Sequence, residues 1–167
     1  MANGSLDAHL YRTNDNGPLL RKKILDICIG AARGLQHLHV GVEQGIIHRD
    51  IKPVNILLDK NWVAKLSDFT FCKLIPNDDA SEAILDSGIC GTPGYMAPEY
   101  IMHGTLSKKA VVYSFGVVLL VVLCSKKLHF HGHKATLVHW FKSSVKNGTI
   151  DQVIDPYLIG NVRIALA

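Results

Sequence analysis

The chain has 167 residues, of which 48% are hydrophobic and 19% charged, with a net charge of +4. That length supports one domain with a real core, and the mix excludes a disordered or low-complexity chain. Lys and Arg are spread along the chain, so the excess reads as a solvated basic surface, and no nucleic-acid partner is expected.

Cys28, Cys72, Cys90 and Cys124 form no Cys-x-x-Cys pair, and Cys28 and Cys124 lie in apolar runs. Free thiols in a reducing compartment are expected. No basic–apolar–small pattern opens the chain, so no signal peptide is expected. The longest apolar run, 111–124, is interrupted by Ser114 and Gly116. A membrane span needs about 20 residues. The run is therefore expected to be a core helix buried on all sides.

In chain order, Asn3-Gly4 is a turn signal, and Ser5 is expected to cap a short helix with Asp7 in its first turn. Residues 13–18 form a polar loop. A long helix follows over 19–39, because Leu20, Ile24, Ile27, Cys28, Ala31, Leu35 and Leu38 recur at three- and four-residue steps. Gly41 is its stop. Residues 46–55 read Ile-Ile-His-Arg-Asp-Ile-Lys-Pro-Val-Asn. Residues 56–59 and 63–66 predict a hairpin turning at Lys60-Asn61. Ser67-Asp68-Phe69 comes next, which puts Asp68 just past a strand and facing the loop that carries Asp50.

Residues 70–95, with scattered Gly, Asp and Ser, read as a mobile loop. The run from Gly91 to Glu99, Gly-Thr-Pro-Gly-Tyr-Met-Ala-Pro-Glu, closes it. After the apolar helix, 125–134 is a His-rich loop. His129, His131 and His133 alternate there, with His139 beyond. Alternating His can form a metal site. No Cys or carboxylate lies close by in sequence, so solvent-exposed His is the favoured reading. Residues 136–146 predict an amphipathic helix with Leu137, Trp140, Phe141 and Val145 on one side, ended by Asn147-Gly148. A short turn over 150–154 precedes Pro156.

Four motifs now stand in a recognisable order: His48-Arg49-Asp50, Ser67-Asp68-Phe69, the Gly91–Glu99 run, and Tyr113-Ser114-Phe115-Gly116-Val117-Val118. With Lys52 and Asn55 they resemble a protein kinase of the plant receptor-like Ser/Thr class, related to Pelle. Asn3-Gly4-Ser5-Leu6, Gly30-Ala31-Ala32-Arg33-Gly34-Leu35 and Ile154-Asp155-Pro156 fit that class too. The resemblance implies a protein kinase-like fold, C-terminal (large) lobe only, mainly α with a short β-hairpin. It covers 1–160 and leaves 161–167 as a divergent tail.

By resemblance, Asp50 is the catalytic base, Lys52 the phosphate-binding lysine, and Asn55 and Asp68 the ligands of Mg²⁺. Phosphoryl transfer needs such a set: an acceptor for the hydroxyl proton, a cation on the moving group, and oxygen for metal. Lys52-Pro53 is the form typical of Ser/Thr kinases. Arg49 is expected to receive a phosphorylated residue of the 70–95 segment, with Ser87 and Thr92 best placed and Ser81 behind them.

Departures from the pattern set the expected function. No Gly-x-Gly-x-x-Gly loop, Val-Ala-Ile-Lys strand or partner Glu precedes 46–55, and those parts clamp the nucleotide. Thr70 stands where the family has Gly, which tolerates backbone angles a β-branched residue resists. Val111 stands where the family's helix has an Asp that accepts backbone N–H groups of the 48–55 loop. The Arg that the family pairs with the Glu99 position is missing. The expectation is a partial Ser/Thr kinase domain, inactive as this chain alone, with ATP and Mg²⁺ bound weakly or not at all. The alternative is a truncated pseudokinase that binds a partner, or a gene fragment without function. Its partners would be a protein substrate or a partner kinase or receptor, and its location cytoplasmic.

Overall fold

The computed structural model of the chain describes residues 1–11, 19, 21–75, 83–128 and 136–159. The expectations for 13–18, Leu20, Ser81, His129, His131, His133 and 161–167 fall outside the described residues.

The first residues pair with what becomes the hairpin. Asn3 and Leu6 donate backbone N–H groups to the carbonyls of Leu58 and Ile56, at 3.2 and 2.8 Å, and Ser5 bridges Leu57. Helix α1, Asp7–Leu10, follows. The expected Ser5 cap is not there: the cap position is Leu6, with no side-chain cap bond. Ser5 is held by strand pairing, one residue too early to cap. Helix α2 runs Arg21–Val40. It buries Ile27, Cys28, Ala31, Leu35 and Leu38, the stripe the periodicity marks. Gly41 N–H closes it on the His37 carbonyl at 2.8 Å.

Among the described residues six short strands make three antiparallel pairs. They are β1 (Ile46–Ile47), β2 (Ile56–Leu58), β3 (Ala64–Leu66), β4 (Lys73–Leu74), β5 (Ala83–Leu85) and β6 (Thr105–Ser107). β2 and β3 form the predicted hairpin, with Ile56 opposite Leu66 and Leu58 opposite Ala64. Its turn is at Lys60-Asn61: Trp62 N–H meets the Asp59 carbonyl at 3.0 Å. The Asp59 carboxylate accepts the N–H groups of Asn61 and Val63. Helix α2 packs along β3.

The 70–95 segment is more ordered than a mobile loop where it is described. A 3₁₀ turn covers Phe69–Phe71, β4 pairs with β1, and β5 pairs with β6. Backbone groups of the segment find ladder partners far away in sequence, a signal absent from its composition.

Helix α3, Pro98–His103, leads through β6 into α4, Lys108–Cys124. Ser107 caps α4 by accepting the Ala110 N–H at 3.2 Å. Val111, Val117, Val118, Val121 and Val122 are buried, but Val112 is 56%, Leu119 36% and Leu123 42% exposed. The expectation of a helix buried on all sides is therefore corrected. Apolar residues on every face do not create neighbours on every face. Helix α5, Leu137–Lys146, is capped by Thr136, whose hydroxyl accepts from His139 N–H. Leu137 is fully buried and Trp140 and Phe141 half-buried, while Val145 is exposed and Ser144 buried in its place. A 3₁₀ turn at Ile150–Gln152 and α6, Pro156–Ile159, end the described chain. All four cysteines are free, with Cys28 and Cys124 buried and Cys72 and Cys90 partly so.

Candidate active site

Strand β1 delivers the chain to His48, which is fully buried. Its Nε2 donates to the Ser67 carbonyl at 3.0 Å. Its Nδ1 accepts the Asp50 N–H at 3.3 Å. A carbonyl can only accept, so Nε2 carries the proton and the ring is neutral. Burial holds its pKa below the ordinary histidine value, against the raising effects of the Ser67 carbonyl, Asp50 and Asp68. The ring also leans on Phe69, centroids 5.2 Å apart. Arg49 has φ of 68°, a costly conformation for a residue with a side chain and one that collects at functional sites.

The loop's chemistry converges on Asp50. Its side chain is almost fully buried, and Lys52 Nζ lies 2.8 Å from Oδ2. The Asn55 amide nitrogen donates to the Asp50 carbonyl at 2.9 Å and to Oδ2 at 3.1 Å. Thr92, forty-two residues on, donates its hydroxyl to Oδ1 at 2.6 Å and accepts from Lys52 Nζ at 2.8 Å. Burial alone would raise the Asp50 carboxyl, but the bonds from Lys52, Thr92 and Asn55 hold it below the usual carboxylate value. Asp50 is thus an ionised, oriented acceptor.

Asp68 is tied to the same loop by its neighbour. The Ser67 N–H and hydroxyl both donate to the Asn55 carbonyl, each at 3.0 Å. Asp68 itself has φ of 64° and an exposed side chain. The Thr70 hydroxyl donates to its Oδ1 at 2.7 Å. The backbone difficulty expected at Thr70 is not realised, because the left-handed residue is Asp68. The substitution acts through its hydroxyl instead. The remaining Asn55 amide oxygen and the Asp68 carboxylate are hard oxygen donors of the kind Mg²⁺ takes, so the donor chemistry fits that ion. Among the described residues no group of three or more His, Cys, Asp or Glu could hold a metal ion, and His139 is exposed.

Arg49 points the other way, into the 83–100 segment. Its Nη1 donates to Asp86 Oδ2 at 2.6 Å and its Nε to the Phe71 carbonyl. The residue it meets is neither Ser87, which is exposed, nor Thr92, which is bound to Asp50.

The protein kinase domain family matches residues 1–154. The chain belongs to the protein kinase domain family. Among the proteins it is similar to are three receptor-like protein kinases of Arabidopsis thaliana. FERONIA is 44% identical over 165 residues, 97% of this chain and 18% of that protein. THESEUS 1 is 45% identical over 168 residues, 99% of this chain and 19% of that protein. ANXUR2 is 43% identical over 166 residues, 98% and 19%. The chain spans about a fifth of the length of the curated relatives it matches.

In this kinase domain the two contacts of the candidate site that sequence reasoning missed are those of Thr92 and Asp86. Thr92 stood out as a candidate for phosphorylation and not as a partner of Asp50, and Asp86 only as one acidic residue among several. Val111 is 2% exposed and lines a small cavity with Arg49, Tyr100, Ala110 and Ser114. Among the described residues no helix is long and apolar enough to cross a membrane.

Proposed function

We propose that residues 1–160 are the large lobe of a Ser/Thr protein kinase domain, with 161–167 a divergent tail, and that these 167 residues alone do not turn over. The observation that carries the reading is the closed set Asp50–Thr92–Lys52, with Asn55 bracing Asp50 from behind. In this reading Asp50 orients the hydroxyl of a protein substrate and takes its proton. Its depressed pKa makes it a weak base, so orientation is the larger part of its role. Lys52 places positive charge beside the oxygens of the transferred phosphoryl group, and Thr92 fixes both side chains. Asn55 and Asp68 would hold Mg²⁺, which supplies neutralisation of phosphate charge. Peptide hydroxyls are the substrate class, and the location is cytoplasmic, as for an intracellular segment of a receptor-like kinase.

The sequence holds no Gly-x-Gly-x-x-Gly loop, and positioning supplies nearly all of phosphoryl-transfer catalysis. One wall of a cleft neither excludes water nor places ATP. A second reading, a non-catalytic protein-binding module, is favoured by the Thr70 hydroxyl on Asp68 and by the exposed apolar line Val112, Leu119 and Leu123. Incubation with Mg·ATP and a generic basic protein tests both. The chain alone is expected to give no phosphate incorporation, and incorporation that vanishes in Asp50→Ala would overturn the inactive reading. Joined to a nucleotide-clamping segment from a related kinase domain, it is expected to give Asp50-dependent incorporation. Its absence there favours the binding module.

A further inference from the structure

Arg49 and Lys73 form a basic pocket beside the 48–55 loop, and one side chain fills it. Asp86 is 5% exposed. Its Oδ2 accepts from Arg49 Nη1 at 2.6 Å and from the Tyr100 hydroxyl at 2.8 Å. Its Oδ1 accepts from Lys73 Nζ at 2.5 Å and from Gly88 N–H at 3.2 Å. An ionised carboxylate has about four acceptor positions, and all four are taken.

The backbone is locked as well. Asp86 N–H donates to the Gly104 carbonyl at 2.8 Å. Gly104 has φ of 64°, and a Cβ there would stand 2.7 Å from the Asp86 carbonyl oxygen. Gly91 has φ of 132°, and its Cβ would meet the Arg49 carbonyl oxygen at 2.7 Å. The segment is therefore packed against Gly104 at one end and, through Gly91, against the 48–55 loop at the other. Tyr100 joins them, accepting the Cys90 N–H at 3.2 Å while donating to Asp86.

We propose that the Arg49–Lys73 pocket is an oxyanion site filled by the chain's own Asp86, which holds residues 83–92 against the 48–55 loop without a phosphorylated residue. Two cations, a phenol and a backbone N–H are the donors that a phosphoryl group uses. Here a carboxylate has them first. Ser87 is exposed on the next residue. A phosphoryl group there would set two negative charges beside a third, with the pocket's donors already engaged. Asp86 is thus a positioning residue, acting on the loop through Arg49. This goes beyond the catalytic reading and does not depend on turnover.

Hydrogen exchange of amides 83–92 in the full chain, with inorganic phosphate as probe, tests the proposal. In the wild type, phosphate up to roughly 50 mM at fixed ionic strength is expected to leave exchange unchanged. In Asp86→Asn, which keeps shape and loses charge, exchange is expected to rise about tenfold, the loss of one charge-assisted bond. In Asp86→Ala, phosphate is expected to restore most of the protection, and Arg49→Gln in that background to abolish the rescue. A merely structural Asp86 would not be replaced by a free oxyanion. Phosphate protection of the wild type that disappears in Arg49→Gln would mean the pocket is open and would overturn the proposal. So would unchanged exchange in Asp86→Asn. Should Asp86→Ala not fold, the wild-type and Asp86→Asn arms decide alone.

Discussion

The Thr92 hydroxyl donates to Asp50 Oδ1 at 2.6 Å while accepting from Lys52 Nζ at 2.8 Å. One small side chain therefore sets the distance between an acid and a cation in a buried site. Thr92→Val keeps the shape and removes both bonds. It is expected to lower stability by about 1–3 kcal/mol, the cost of buried polar groups losing a partner, and to raise the Asp50 pKa towards its ordinary value. Thr92→Ser is expected to keep both. Chemical denaturation with carboxyl titration by NMR checks this. Equal midpoints for wild type and Thr92→Val would show that the hydroxyl is not structural.

Thr70 engages Asp68 in the same way, and to the opposite end. Its hydroxyl takes Oδ1 at 2.7 Å, one of the oxygens proposed for Mg²⁺. Thr70→Val removes the donor with little change in volume. Calorimetric titration with Mg²⁺ is expected to show about tenfold tighter binding in the variant, matching the 1.4 kcal/mol or so by which a bond to a charged oxygen competes. Identical isotherms would remove Thr70 from the account of weak metal binding.

Stability is expected to fall as the solution turns acidic. Burial lowers the pKa of His48, and burial with the charge of Lys108 lowers that of His39. The unfolded chain takes up these protons first, near pH 6.5. Its extra bound protons make stability rise with pH, so the contribution is whole above about pH 7 and is lost progressively below pH 6.5. A second loss follows at lower pH. Burial alone would raise Asp86, but Lys73, Tyr100, Gly88 and Arg49 hold it far below the usual carboxylate range. Its contribution is present above about pH 4 and disappears as it protonates. Denaturation midpoints from pH 8 to 5, beside NMR titration of His48, measure the first loss. A His48 pKa above that of free imidazole side chains would reverse the sign and refute it.

Val111 tests the role of a missing acceptor. It lines the small cavity that Arg49 also lines, at the position where the resemblance implies an Asp. Val111→Asp is expected to raise the denaturation midpoint at neutral pH, because hydrogen bonds to a charged group contribute about 1.5–3 kcal/mol. Desolvation of the new carboxylate opposes this by several kcal/mol if no donor meets it. A sharp fall in midpoint would mean that the loop's donors are already satisfied.

What the sequence determined by itself is local. The stripe Ile27, Ala31, Leu35 makes α2 because helical spacing puts those residues on one face. Asp59 and Asn61 make the hairpin turn with their own neighbours. The spacing of Asp50, Lys52 and Asn55 brings those groups together because five residues of chain cannot separate them far. Contacts across dozens of residues were decided only by the tertiary structure. Arg49 could have met any hydroxyl or carboxylate of the 70–95 segment, and the β5–β6 pairing, with Gly104 against Asp86, selected Asp86. The same applies to Thr92 on Asp50 and to the bare face of α4 at Val112 and Leu123. Hydrophobicity states what a residue favours. Which neighbours it receives depends on how distant strands register, and that is a property of the whole fold.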